Sequence, residues 1–283
     1  MRDAPSPAGA DWFACLGEAC REINRRLCTM DRAERTRQFG RGAGGDTTVG
    51  VDRVAEDILI DALRRRYEET GDPVTLVSEE AGLMHVGGPG GPVVIADPID
   101  GSRNAARGAP LFATSIAVSD DRTMGGVRYA LVFDHGPKEV FTAERGVGAW
   151  LDGACLGTPE RPDRLRMLAV EGASAARIAA AALTLVGEVG RLRSLGSMAL
   201  SMCWIAAGRM DALLGLGEVR AVDVAAAQLV LREVGCWVGL PEAEDVDDCP
   251  LDVVVRRRVM ATAQPDLIDK MRRALGEAAA VSW

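Results

Sequence analysis

Apolar residues recur at helical spacing near the start of the chain. Trp12, Phe13, Leu16, Cys20, Ile23 and Leu27 fall on one face of a helix over 11–30, and a second helix is predicted over 51–67. Between them lies a loop over 39–48 that holds Gly40, Gly42, Gly44 and Gly45. Such backbone has little intrinsic order, and both a mobile flap and an ordinary connection fit it. The rhythm then changes. Short β-branched runs over 74–78, 93–96, 114–118, 126–132, 139–142 and 149–151, most of them separated by turn residues, predict a mostly antiparallel sheet. Beyond about residue 160, apolar strand segments (167–170, 191–194, 210–214, 253–255) alternate with Ala-rich helical stretches (173–187, 196–208, 222–235, 264–277). The fold class is therefore α/β. An α+β subdomain over 1–155 is expected to join an α/β subdomain over 156–283 near 152–163, where Gly and Pro concentrate.

Composition narrows the function. At 283 residues, with 48% hydrophobic and 26% charged, the chain can bury a sizeable core. A net charge of -8 argues against a nucleic-acid partner, since such binders neutralise phosphates with clustered Lys and Arg. No apolar run reaches the ~20 residues that span a bilayer, and the first residues lack the apolar core of a signal peptide, so a cytoplasmic protein without a membrane partner is expected. The seven cysteines are scattered without metal-pair or redox-pair spacing, and only His85 and His135 are present. Zinc sites and histidine-centred triads are poor fits.

The informative segment runs Val93-Val94-Ile95-Ala96-Asp97-Pro98-Ile99-Asp100-Gly101-Ser102-Arg103-Asn104. A buried-type strand delivers Asp97, Pro98 is expected to stop it by removing a ladder donor, and Asp100 follows three residues after Asp97. Two carboxylates are thereby turned into one small space. Gly101 can take backbone angles closed to other residues, and Ser102 stands where a short helix begins, so their N–H groups can point at an anion. Hard cations such as Mg²⁺ take oxygen ligands, and one loop cannot fill their shells. Further acids are offered by Glu79 and Glu80 after the strand over 74–78, by Asp52 at the start of the second helix, and by Asp223 at the start of the helix running to Glu233. Singly, each has an ordinary reading: Asp223 and Ser102 as helix N-caps, the Glu pair as a solvated turn. Their joint arrangement is what points to chemistry.

These residues resemble the lithium-sensitive phosphatase superfamily typified by inositol monophosphatase, which includes fructose-1,6-bisphosphatase. Its marks are an acidic pair, Asp-Pro-(Ile/Leu)-Asp-Gly-(Thr/Ser), and an Asp opening an Ala-rich helix that ends in Glu-x-Gly. They stand here as Glu79-Glu80, Asp97 to Ser102, and Asp223 to Gly235. The archaeal-type dual fructose-bisphosphatase and inositol monophosphatase branch is similar also at Thr48 to Asp52, Gly108 to Phe112 and Val219 to Asp223. The resemblance implies a layered α-β-α-β-α sandwich of the sugar phosphatase type, a homodimer, and two to three Mg²⁺ ions per site, with Mn²⁺ as a substitute. It implies that Glu79, Asp97 and the Ile99 carbonyl hold one metal, and that Asp97, Asp100 and Asp223 hold a second. A third, weaker ion involves Glu79. Ser102, oriented by Asp52, then helps deprotonate the attacking water, while Gly101 and Ser102 amides grip the phosphate.

The expected activity is Mg²⁺-dependent hydrolysis of a small sugar or polyol phosphate by metal-activated water. The substrate end departs from the pattern. Inositol monophosphatases place a Glu seven residues before the last metal-binding Asp, and Leu216 stands there; Val49-Gly50-Val51 replaces a basic flap residue. Arg191, Arg193, Ser194, Gly196, Ser197 and Arg220 are the candidates for holding the rest of the substrate. A nucleotide 3′-phosphatase of the same superfamily and a catalytically inactive binding or scaffold relative are the alternatives.

Overall fold

The first predicted helix runs Pro7–Thr29, with Ser6 accepting a hydrogen bond from Gly9 N and Pro7 at a position where its missing N–H is harmless. The second runs Gly50–Thr70 and ends on Gly71, whose φ of 75° closes it. The computed structural model describes residues 4–172, 174–241 and 245–280. In it, both helices lie on one face of an eight-stranded sheet, where Trp12, Leu16, Leu59 and Leu63 pack against Leu76, Val94, Ile116 and Leu131. The strand order is Ala154–Cys155, Gly148–Leu151, Glu139–Glu144, Val127–Asp134, Ala113–Ser119, Val93–Asp100, Val74–Ser78 and Gly82–Val86. Every neighbouring pair is antiparallel except Val74–Ser78 with Val93–Asp100, which is parallel.

The other face of this sheet meets two helices, Met198–Ala206 and Ala221–Glu233, which also cover a five-stranded mixed sheet. Sandwiched between two sheets, they are apolar almost all round. Side-chain alternation in the second sheet sends Ala169, Leu213 and Ala261 toward them. It sends Leu168, Val170, Ala212, Leu214 and Met260 the other way, under helices Ala175–Thr184 and Ile268–Ala279. The layers read α-β-α-β-α, as expected. Among the described residues no helix is long and apolar enough to cross a membrane.

Two expectations are corrected. The strand carrying Asp97 does not stop at Pro98 but continues to Asp100. Asp97 pairs with Ser115 and Asp100 with Ala113, so three steps on one strand face two on the other. Pro98 is tolerated because this bulge asks no ladder donor of it. The strand expected over 253–255 is absent, because Asp252 Oδ1 accepts from Val254 N at 2.9 Å and Val255 N at 2.7 Å and curls the segment into a turn. The strands there are Arg256–Arg257 and Met260–Thr262. The glycine-rich loop over 39–48 is the tip of a hairpin, Gln38–Arg41 with Thr47–Val49. The short helix Arg32–Thr36 and the strands Gly82–Val86 and Trp237–Gly239 were not anticipated. Residue 173, the start of the helix predicted over 173–187, lies outside the described residues.

Candidate active site

Parallel pairing of Ser78 with Ala96 sets the next residues of each strand, Glu79 and Asp97, side by side at the same sheet end. Asp223 comes from the first turn of helix Ala221–Glu233, where its Oδ2 accepts from Arg220 N at 2.8 Å. One carboxylate oxygen from each of Glu79, Asp97 and Asp223 lies within 4.8 Å of the other two. Burial, reinforced by neighbouring negative charge, pushes their pKa values up: Asp97 well above the usual range, Asp223 to about 7, and Glu79 upward although Arg220 opposes the shift. Oxygens around one small ion at ~2.1 Å stand about 3 to 4 Å apart, so the trio fits a hard divalent cation after little movement. The donor set is all oxygen, with no imidazole or thiolate, which suits a hard cation better than a softer metal.

Asp100 stands beside this trio but not in it. Its Oδ2 accepts from Ser197 Oγ and from Ala199 N, each at 2.6 Å, at the N-terminus of helix Met198–Ala206. Burial raises its pKa to about 7 all the same. Asp52 is buried in the first turn of Gly50–Thr70, with Oδ2 accepting from Val49 N at 2.9 Å; burial raises it to about 7, and the nearby Ser102 hydroxyl offsets part of that. Asp52 Oδ1 has no hydrogen-bond partner among the described residues. Ser102 Oγ donates to the Ile99 carbonyl oxygen at 2.9 Å, so two predicted site groups occupy each other. Gly101 begins the short helix Ser102–Arg107 at φ 95°; a Cβ there would stand 3.0 Å from Leu111 O and 3.1 Å from Gly196 O.

The glycine-rich tip docks on these groups: Ala43 N donates to Glu80 O at 3.0 Å, Gly44 N to Glu79 O at 2.8 Å, and Arg256 Nη2 to Gly44 O at 2.9 Å. Glu80 takes the Thr48 hydroxyl and does not join the trio. Arg220, expected to hold substrate, is 4% exposed and lies between Glu79 and Asp46 of the tip. Arg193 is exposed, its Nη1 donating to Leu192 O at 2.8 Å; the structure does not bring it to the cluster. Gly196 N is already donated to Glu171 Oε2 at 3.0 Å. Two acids escaped the sequence reading as site residues. Asp46 left no signal in its glycine-rich loop. Glu171, fully buried, accepts from Leu195 N, Gly196 N and Ser201 Oγ at 2.7, 3.0 and 2.7 Å. Its signal was a charge closing an apolar strand.

The model of the inositol monophosphatase family matches residues 17–279. The chain belongs to the inositol monophosphatase family. This family member is 31% identical over 247 residues to a fructose-1,6-bisphosphatase/inositol-1-monophosphatase of Methanothermobacter thermautotrophicus, covering 83% of this chain and 85% of the relative. It is 35% identical over 196 residues to the Nus factor SuhB of Escherichia coli K12, covering 67% and 70%. A solved inositol monophosphatase-fructose 1,6-bisphosphatase superposes with a TM-score of 0.79 at 25% identity, over 93% of this chain and 99% of that one. The family consists of metal-dependent phosphatases, and this member is a phosphoric monoester hydrolase with an acidic cluster suited to a cation.

Proposed function

We propose that the protein hydrolyses a phosphate monoester of a small sugar or polyol in the presence of two to three Mg²⁺ ions, with Mn²⁺ able to replace them. The observation that carries this reading is the convergence of Glu79, Asp97 and Asp223 from three separate stretches of chain. Glu79, Asp97, the Ile99 carbonyl, Asp100 and Asp223 are the groups that would hold the ions. Bound there, the ions supply charge neutralisation for the phosphoryl oxygens and the leaving oxygen. Gly101 and Ser102 seat the phosphate where the chain turns into a helix. The Ser102 hydroxyl, which donates to the Ile99 carbonyl and lies near Asp52, would pass on the proton of the attacking water, and the Asp52 carboxylate would receive it.

A cleft of about 350 Å³ opens where the chain leaves strand Ala212–Gly215, lined by Arg177, Leu216, Glu218 and Arg258. Leu216 is buried in the outer core and offers no carboxylate to a polyol. Arg177 and Arg258 are offset by the Glu218 carboxylate in the same lining, so the cleft does not choose between fructose 1,6-bisphosphate and inositol 1-phosphate. The resemblance to dual-activity enzymes is the ground for keeping both as substrates and for a homodimer, and a cytoplasmic location is proposed from the sequence reading. Phosphate release from each ester, with Mg²⁺ and with a chelator, tests the reading. Release of phosphate from fructose 1,6-bisphosphate that stops on chelation is expected; release unaffected by chelation would overturn the cation assignment.

A further inference from the structure

The buried His135 has no part in the chemistry above, yet its hydrogen bonds can be assigned without ambiguity. Thr114 Oγ1 lies 2.7 Å from the Pro98 carbonyl oxygen and 2.9 Å from His135 Nε2. A carbonyl only accepts, so the single Thr114 hydroxyl proton points at Pro98. His135 Nε2 must then be the donor to Thr114. In a neutral ring that leaves Nδ1 as an acceptor, and Asn24 Nδ2, 3.1 Å away, supplies the proton. The second Asn24 amide proton goes to His135 O at 3.3 Å, while Asn24 Oδ1 faces the Cys28 thiol, so the amide orientation is consistent. Phe112 stacks on the ring at 4.8 Å and 12°, and Phe133 packs at 54°, which fixes the ring plane. A doubly protonated ring would set an N–H against the Asn24 amide donor. Burial acts in the same direction, taking the His135 pKa down to about 3.

The far end of this chain is the bulge. The Pro98 carbonyl and the Ile99 N–H belong to one peptide unit, planar and trans, so the two groups point in opposite directions. Thr114 holds the oxygen; the N–H on the other side donates to Asp97 Oδ1 at 3.0 Å. Every bond therefore runs the same way: Asn24 to His135, His135 to Thr114, Thr114 to Pro98, and Ile99 to Asp97. Bonds aligned in this manner polarise one another. We propose that His135 is a positioning residue for Asp97: as the neutral Nε2–H tautomer it completes a one-way relay from the first helix that engages Asp97 Oδ1 and leaves Oδ2 for the cation. This inference rests on the cation reading of Asp97.

The test has two arms. Only two histidines are present, so His85→Gln, on the edge strand away from the site, leaves a single ring to observe by nitrogen–proton correlation NMR. A neutral Nε2–H signature at pH 7 without metal is expected; an Nδ1–H or doubly protonated ring overturns the relay. The second arm measures Mg²⁺ affinity by calorimetry without substrate. His135→Phe keeps the stacking and severs both links, and about tenfold weaker binding is expected. His135→Gln, whose amide can donate to Thr114, should restore most of it. Thr114→Val cuts the same relay with the ring in place and stands in if His135→Phe does not fold. Wild-type affinity in folded Thr114→Val overturns the positioning role. Failure of the wild-type protein to bind Mg²⁺ would instead overturn the cation reading, and with it the role assigned to Asp97, while the NMR arm still decides the relay.

Discussion

Asp97 is the residue on which most of the site depends. Replacing it with Asn keeps the size and an oxygen for Ile99 N but removes a charge shared by its neighbours. Loss of a supporting group around a metal ligand weakens function by about 10- to 100-fold, so loss of the ligand itself should reduce phosphate release by about 100-fold or more, with an unchanged circular dichroism spectrum. Acidity follows from the same crowding. Asp52, Asp100 and Asp223 titrate near 7 in the fold against 3.8 ordinarily, and Glu79 and Asp97 are raised too. The folded metal-free protein thus holds protons that the unfolded chain releases. The stability these groups contribute is fully present below about pH 4 and falls as pH rises through 7. His135, depressed to about 3, acts in the opposite direction below about 6.5. Thermal melts in chelator should therefore show a lower Tm at pH 8 than at pH 5.5, and a larger gain from Mg²⁺ at pH 8. A metal-free Tm that climbs over that range would refute the crowding. The central motif was legible because its residues are contiguous. Glu171 was not, because its donors lie 24 to 30 residues further on.

Between elements, the ties are made by single side chains. Glu171 binds the end of strand Leu165–Glu171 to the turn before helix Met198–Ala206, and that helix holds Asp100. Glu171→Gln replaces a charged acceptor of three hydrogen bonds with a group that brings its own donors, and should destabilise by about 2 kcal/mol or more in urea melts. The hairpin tip depends on Gly44, where a Cβ would stand 2.9 Å from Arg220 Cζ. Gly44→Ala should lift the tip from the Glu79 carbonyl, seen as faster proteolysis within 39–48 and a raised KM, with Tm little changed. Glycine content could only say that this loop lacked intrinsic order. Its docking depends on carbonyls after a distant strand. The strand expected over 253–255 failed for a local reason, since an Asp at its start competes for backbone N–H groups.

At the scale of the molecule, the five layers were readable from the change of hydrophobic period along the chain, because each period reports which faces an element must bury. Register and pairing direction were not, since both are settled by contacts between strands. The layers also locate the site. Glu79 and Asp97 belong to the first sheet, whereas Asp223 belongs to a helix held between the two sheets. A cation gripped by all three ties these layers together only in the folded state. Mg²⁺ at about 100 times its Kd should add about 2.7 kcal/mol to unfolding, read by denaturant titration with and without chelator.

The edge strand Gly82–Val86 contributes no acid, yet the geometry of the centre depends on it. It carries the chain back to the level of Val74, so that Val93–Asp100 sets out from the same side as Val74–Ser78. Were the chain to turn straight into its neighbour, as it does elsewhere in the sheet, Glu79 and Asp97 would finish about 17 Å apart, at ~3.3 Å per residue. A return path that touches nothing reactive is what makes two remote carboxylates neighbours, so shortening it should silence the centre while leaving every acid in the sequence.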